Sequence, residues 1–419
     1  MSDPVVVIGA GAAGLMAAAW AATGPRPVLL LERTKDGGRK ILIAGGGRCN
    51  VLPSQLDERR FVTDSSPNTL RLMLRSWPLA EQRRFFEEEV GIPLALEAET
   101  GKLFPVSNRA RDVRDGLVAL CRRRGVTLRF ETLVSGLVPP GAPGGPWRVE
   151  LEGAPSLRAA AVILATGGLS VPTTGSDGAG LRLARALGHA LHEPYAALTP
   201  LVCEPPPYAA LAGVSLTARL EASVDGKPWR TEGGFLFTHR GYSGPGVLDA
   251  SHLAVRARRA GTPQPLHIRW TMHDAAAWER LLGHAGGAGS TLVRTVLARE
   301  LPERLALALQ ADAGVPGDMT LAQLTRDGRR ALIRALTAMP LPWTGDEGYR
   351  KAEVTGGGVA LGEVDARTLE SRRTPGLFLC GELLDAFGPI GGYNFYWAWA
   401  TGRAAGLGAA ALPAGAPTA

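Results

Sequence analysis

The chain has 419 residues, 45% hydrophobic and 20% charged, with 46 Lys+Arg against 39 Asp+Glu and a formal charge of +7. That balance excludes a disordered chain and a collagen-like repeat, and the length suits two or three domains of roughly 100–200 residues each. The four cysteines form no Cys-x-x-Cys pair, which excludes a disulfide scaffold and a dithiol relay, and no His/Cys cluster has metal spacing.

Widely separated cysteines of this kind point to reduced thiols and a cytoplasmic protein. The arginines are scattered, with one triplet at Arg122-Arg123-Arg124, whereas a nucleic-acid binder concentrates them on one element. Nucleic acid is therefore not an expected partner. The start, Met1-Ser2-Asp3-Pro4, carries no basic segment, so no signal peptide is expected. The most apolar stretch, 5–31, is broken by glycines and by Pro25-Arg26-Pro27, so no membrane partner is expected either.

In chain order, Val5-Val6-Val7-Ile8 is a β-branched run suited to a buried parallel strand. Gly9-Ala10-Gly11-Ala12-Ala13-Gly14 follows, 15–22 is rich in helix formers, and Gly24-Pro25 stops that helix. A second strand over 28–31 ends at Glu32, which completes a βαβ unit. Helices are predicted over 68–90 and 112–124, and strands over 126–130 and 147–151 with a Pro/Gly turn at 139–146 between them. A buried strand over 160–164 leads into Ala165-Thr166-Gly167-Gly168, and 181–187 reads as a short helix.

Near residue 193 the texture changes. Prolines break any helix, and short alternating runs (216–224, 235–237) predict a β-rich piece over 193–271. Helices at 275–282, 292–298, 303–311 and 321–338 predict a helical piece over 272–349. A strand at 377–380 and a helix over 394–411 close the chain. The predicted fold class is α/β: a Rossmann-like nucleotide domain made of two parts, 1–192 and 350–419, with the β-rich and helical pieces inserted.

Four motifs carry chemistry. In the first turn Gly9 permits the bend, Gly11 clears space for a pyrophosphate, and Gly14 lets helix and strand pack closely. The helix amides face the anion, and the Glu32 carboxylate suits a ribose 2′-OH. Gly37-Gly38-Arg39-Lys40 and Gly45-Gly46-Gly47-Arg48-Cys49-Asn50 place bare backbone and cations close to that turn. Ala165-Thr166-Gly167-Gly168 lies at the carboxyl edge of a predicted strand, where doubly wound sheets bind ligands. Cys380-Gly381-Glu382 and Gly391-Gly392-Tyr393-Asn394 combine a carboxylate with a helix N-terminus, which favours an anionic reduced flavin. Phe395, Tyr396, Trp397 and Trp399 are read as core packing. His239 is the histidine with the most distinctive context, and no second G-x-G-x-x-G follows a strand.

The segments 38–50, 102–107, 166–170, 353–359 and 391–399 together resemble one family, the bacterial aminoacetone oxidase family FAD-binding enzymes, grouped with 3-dehydro-bile-acid Δ(4,6)-reductase-like proteins within the glutathione-reductase-type FAD folds. The resemblance implies bound FAD and no dedicated NAD(P) domain; no metal is expected from the residue spacing. Carried over by position, it implies that Gly9, Gly11, Ala12, Ala13, Gly14, Glu32 and Arg33 hold the ADP half. Arg39, Lys40, Gly46, Gly47, Arg48, Cys49 and Asn50 would follow the pyrophosphate and flavin, with Val134, Ala165, Thr166, Gly167 and Gly168 alongside. Gly357, Gly358, Gly381, Glu382, Gly391, Gly392, Tyr393 and Asn394 would close the site. The chain departs from the family at Leu52-Pro53, where the family often has Thr-Asn after Cys-Asn-Val, and at Tyr396, where many members have Gln, positions expected near the substrate.

The implied reaction moves hydride from a small substrate, such as the amino-ketone aminoacetone, to flavin N5, with O₂ or another acceptor taking the electrons. His239 and Tyr393 are the candidate catalytic residues. Two alternatives stay open. In one, NAD(P)H drives reduction of a conjugated enone; in the other, the protein is a non-catalytic flavin- or RNA-binding protein.

Overall fold

A computed structural model describes the chain except for residues 1, 143, 225, 263–264, 284–288 and 415–419. Residue 143, within the predicted 139–146 turn, therefore lies outside the described residues. The chain forms two compact units, residues 1–196 with 353–419, and residues 197–352.

The first unit is built on a five-stranded sheet in the order Leu377–Leu379, Ala161–Leu164, Val5–Ile8, Val28–Leu31, Thr127–Arg129. Every neighbouring pair is parallel, with Val5 opposite both Ala161 and Val28. The central strand is apolar along its length because it is covered on both faces, and all four residues are buried. It ends at Gly9, whose φ of +100° is open to glycine and strained for other residues. The Gly9 amide donates to the Leu31 carbonyl at 2.8 Å, closing the turn against the second strand.

Helix Ala12–Ala21 follows and is buried over most of its surface. Its second cover is the C-terminal helix Tyr393–Ala410. A Cβ added at Gly406 would lie 2.5 Å from the Ala17 carbonyl oxygen, so the two backbones touch where that glycine sits. This contact brings the last helix of the chain beside its first.

Around this frame, the single helix predicted over 68–90 is three pieces: Pro67–Arg75, Leu79–Arg84 and the π-helical Phe85–Val90. The first break falls at Pro78, which has no N–H to continue the ladder. Val354–Val359, whose glycines gave no strand signal, is a fully buried strand paired with Leu191–Ala197.

The second unit holds a seven-stranded sheet dominated by the hairpin Ser215–Val224 and Lys227–Phe237, paired from Ser215↔Leu236 to Val224↔Lys227. Helix Pro245–Arg259 lies inside the stretch read as β-rich. The strands and the later helices share one core, with Leu220, Phe235, Trp270, Trp278, Leu305 and Leu332 in contact within a single cluster. The pieces read separately as 193–271 and 272–349 therefore form one unit. Among the described residues no helix is long and apolar enough to cross a membrane.

Candidate cofactor and active site

A cavity of about 380 Å³ opens at the carboxyl edge of the parallel sheet. Its lining comes from residues 8–183 and 353–398, so both ends of the chain build it and all of it belongs to the first unit. One end lies at Glu32, Arg33 and Thr34, the middle at Gly9, Gly11, Ala12 and Ala13, and the rest at Lys40, Asn50, Glu382 and Asn394.

At the first end Glu32 is buried. Its carboxylate accepts from the Ala10 amide at 2.7 Å and from the amide and hydroxyl of Thr34 at 2.8 and 2.7 Å. These bonds fix the carboxylate at the end of its strand and leave lone pairs for a diol. Arg33 lines the same end and pairs with Asp177.

In the middle, helix Ala12–Ala21 has Gly11 as its N-cap, with no side-chain cap and no acid in the first turn. Its uncapped amides and positive dipole end face the cavity, which suits an anion such as a pyrophosphate. A Cβ at Gly11 would meet no protein atom within 4 Å, whereas at Gly14 it would collide with the Gly9 carbonyl. Gly14 therefore serves packing, and the bare backbone at Gly11 leaves room for a ligand. A long cleft with a diol acceptor at one end and an anion site in its middle fits FAD. Held that way, Glu32 would take the ribose, the 11–13 amides the pyrophosphate, and the region of Lys40, Asn50 and Gly391 the isoalloxazine.

At the far end Lys40 reaches across to the C-terminal segment. Its ammonium donates to Glu382 Oε2 and to Ser170 Oγ, each at 2.6 Å. Glu382 Oε1 accepts from the Thr355 amide at 3.0 Å, from the Thr355 hydroxyl at 2.9 Å and from the Ser170 hydroxyl. Thr355 Oγ1 in turn accepts from the Leu169 amide at 2.7 Å. Glu382 is therefore a hub joining three segments, and its carboxylate is largely spent on protein partners. Asn394 folds back onto Gly388, its amide group exchanging two bonds of 2.9 Å with that backbone, and so shapes the loop ahead of the last helix.

The cavity gathers many of the predicted residues: Gly9, Gly11, Ala12, Ala13, Glu32, Arg33, Arg39, Lys40, Gly46, Asn50, Val134, Ala165, Thr166, Gly167, Glu382, Gly391, Gly392 and Asn394 all line it. Gly14, Gly47, Arg48, Cys49, Gly168, Gly357, Gly358 and Gly381 do not. Arg48 lies over the Phe104 ring at 4.1 Å and pairs with Glu97 at 2.8 Å. Cys49 is fully buried, and burial raises its thiol pKa far above the usual range.

The two candidate catalytic residues fall outside the lining as well. Tyr393 is buried against Phe61, with its hydroxyl donating to the Gln55 carbonyl at 3.3 Å and accepting from the Asp57 amide at 3.4 Å. Its phenol is therefore engaged in packing the 55–61 loop. His239 is exposed in the turn before strand Gly241–Ser243, within the second unit. The departures at Leu52, Pro53 and Tyr396 are also buried away from the lining. Tyr396 donates to the carbonyl of Leu74 at 2.7 Å or of Trp77 at 3.0 Å. Trp397 and Trp399 likewise spend their indole N–H groups on the carbonyls of Gly381 and Val51, each at 3.0 Å, although Trp397 also lines the cavity.

Reading the sequence missed Glu353, which lines the cavity in company with Glu382, Phe387 and Ile390. Its surface stays open to solvent, yet enough protein surrounds it that desolvation raises its carboxyl above the ordinary range, against the pull of Lys102 and Lys40. The signal was an acid immediately ahead of a glycine-rich strand, which only the fold turns toward a ligand.

This parallel sheet, glycine turn and two-ended cleft define an FAD-type Rossmann oxidoreductase, an enzyme class. The chain belongs to the HI0933-like family: residues 3–408 match the HI0933-like protein Rossmann domain. It is 33% identical over 400 residues to a ribosomal RNA dihydrouridine synthase of Escherichia coli (strain K12), covering 94% of this chain and 95% of that one. It is 32% identical over 412 residues to a 3-dehydro-bile acid delta(4,6)-reductase of Clostridium scindens, covering 97% and 99%. Among solved structures, the 3-ketosteroid delta1-dehydrogenase of Sterolibacterium denitrificans shares the fold, with a TM-score of 0.51, 14% identity, and coverage of 98% and 99%.

Proposed function

We propose that this protein binds FAD in the cavity and reduces a carbon–carbon double bond conjugated to a carbonyl. The observation that carries FAD binding is the single cavity lined from both ends of the chain, with a carboxylate for a ribose at one end and uncapped helix amides in its middle. The substrate class draws on the two relatives. Dihydrouridine is uridine with its ring double bond saturated, and a delta(4,6)-reductase saturates a dienone. Both names describe hydrogenation of an alkene polarised by a carbonyl, and both proteins align over nearly the whole chain.

Bound FAD would supply the hydride, and the protein's residues would bind, orient and protonate. The N-terminus of helix Tyr393–Ala410 sets positive potential at the flavin end, which stabilises negative charge there, while the Lys40 charge is balanced by Glu382. The substrate would present its enone either as a free small molecule or as a base within RNA. Scattered arginines argue only against one basic stripe; an enzyme working on an extruded base needs a pocket for that base. The expected exclusion of nucleic acid therefore does not extend to RNA as a substrate. Oxidation of an amino-ketone would use the same site in the opposite direction.

Purified protein is expected to carry FAD. In anaerobic stopped flow, a nicotinamide hydride donor should bleach it, and an enone should restore the oxidised spectrum. A panel of a 4-en-3-one steroid, 2-cyclohexen-1-one and unmodified ribosomal RNA separates the sources. Bleaching by aminoacetone and not by NADH or NADPH would overturn the reductase reading in favour of the oxidase.

A further inference from the structure

We propose that Glu353 is the catalytic acid of this site, giving its proton to the substrate carbon beside the carbonyl while hydride arrives on the other carbon of the double bond. The inference rests on the reductase reading above and gives a role to a residue that opens the 353–359 segment but was assigned none there.

The first ground is position. Glu353 directly precedes the strand Val354–Val359, so its backbone is held in register by that strand's pairing with Leu191–Ala197. Two residues on, Thr355 is fastened to Glu382 through both its amide and its hydroxyl. The backbone at Glu353 is thereby held on a fixed frame, and the residue lines the same cavity as Lys40 and Glu382.

The second ground is availability. Of the carboxylates at this end, Glu382 is committed to Lys40, Ser170 and Thr355. Glu353 makes no hydrogen bond and no ion pair among the described residues, although it lines the cavity. A carboxyl without a fixed partner can donate to a ligand.

The third ground is environment. The charged groups facing Glu353 are Lys40 from helix Arg39–Ile43, Lys102 from strand Lys102–Pro105, and Glu382 from the turn Gly381–Leu383. The lysines favour the carboxylate and desolvation favours the acid; desolvation prevails, so the carboxyl keeps its proton to higher pH than a free glutamate.

The step balances. The Glu353 O–H bond breaks and a C–H bond forms, using the electron pair of the substrate π bond. The other carbon would receive hydride, the chemistry that bound FAD supplies once a nicotinamide donor has reduced it. The Glu353 carboxylate then regains its proton from water.

The test compares wild type with Glu353→Gln and Glu353→Asp, using 2-cyclohexen-1-one, the 4-en-3-one steroid and unmodified ribosomal RNA as oxidants. Three results are expected. Apoprotein of each variant binds FAD as wild type does in a fluorescence titration, and NADPH or dithionite reduces the flavin at the wild-type rate. Reoxidation by the productive oxidant slows by about 10²–10⁴-fold in Glu353→Gln and recovers in part in Glu353→Asp. In the apoprotein, a carbon-13 carboxyl resonance that is missing from Glu353→Gln titrates above the usual glutamate range. Wild-type reoxidation in Glu353→Gln, with FAD binding intact, would overturn the inference alone, and so would a Glu353 resonance titrating normally. Reduced wild-type flavin that none of the three oxidants reoxidises would remove the reductase reading and the inference with it.

Discussion

Lys40 and Glu382 stand 342 residues apart in the chain and 2.6 Å apart in the structure. Their side chains are 27% and 17% exposed, so the pair is sheltered enough to matter and wet enough that desolvation does not cancel it. Glu382→Ala would leave the Lys40 ammonium with Ser170 Oγ but no carboxylate, and the Thr355 amide without its acceptor. The expected loss is about 2–3 kcal/mol in urea unfolding, because an orphaned polar group costs more than its bond contributes. A double-mutant cycle with Lys40→Ala should return a coupling of about 1–2 kcal/mol.

Gly11 and Gly14 should separate stability from binding. Gly14→Ala drives a Cβ into the Gly9 carbonyl and should lower stability by about 1–3 kcal/mol. Gly11→Leu meets no protein atom near its Cβ and should leave the urea midpoint close to wild type. Its side chain enters the cavity, so FAD binding by the apoprotein, followed by fluorescence, should weaken by at least about tenfold. Equal effects of the two variants on both measurements would refute this division.

His189 predicts a pH dependence. It is buried, with Nδ1 at 3.0 Å from the Ala184 carbonyl and Nε2 at 2.8 Å from Ser371 Oγ. Burial lowers its pKa from the ordinary 6.5, so the folded protein binds fewer protons than the unfolded chain just below that value. The stability from neutral His189 is present above pH 6.5 and is lost as pH falls from there toward the lowered folded value. Urea midpoints measured between pH 7.5 and 5.5 should fall more steeply for wild type than for His189→Gln.

The cysteines predict silence. All four are free and buried, and burial raises the thiols of Cys121 and Cys380 to about 12. Native protein at pH 8 should take up no iodoacetamide on the minutes scale, and urea-unfolded protein should take up four equivalents. Rapid labelling of the native protein would mean that one of these sites opens.

Much of the first unit was legible because its signals are local. A β-branched run, a glycine turn, an alanine-rich helix and a terminal Glu32 lie within a few turns of one another, and each dictates its own conformation. The cavity lining at Lys40, Asn50, Glu382 and Gly391 was legible from long motifs. Tyr393 and His239 fall outside the lining in different ways: the motif tyrosine packs against Phe61, and the histidine lies in an exposed turn of the second unit. Glu353, Thr355 and Ser170 lie within the segments 166–170 and 353–359 but carried no assigned role there. The contacts of Thr355 and Ser170 exist only once the fold brings residues 169–170, 355 and 382 within hydrogen-bond distance. The π-helical turn at Phe85–Val90 and the helix Pro245–Arg259 escaped because a short window does not distinguish helix types or the insertion of a helix between strands.

The contact of Gly406 with Ala17 also has a consequence for biosynthesis. Ribosomes deliver the first strand and turn before the 197–352 unit, but the strand Leu377–Leu379 and helix Tyr393–Ala410 that complete the pocket only after it. Ligand capture is thus deferred until translation of those segments is finished, and a transcript interrupted before residue 377 would yield a product with the opening half of a clasp and nothing to close it.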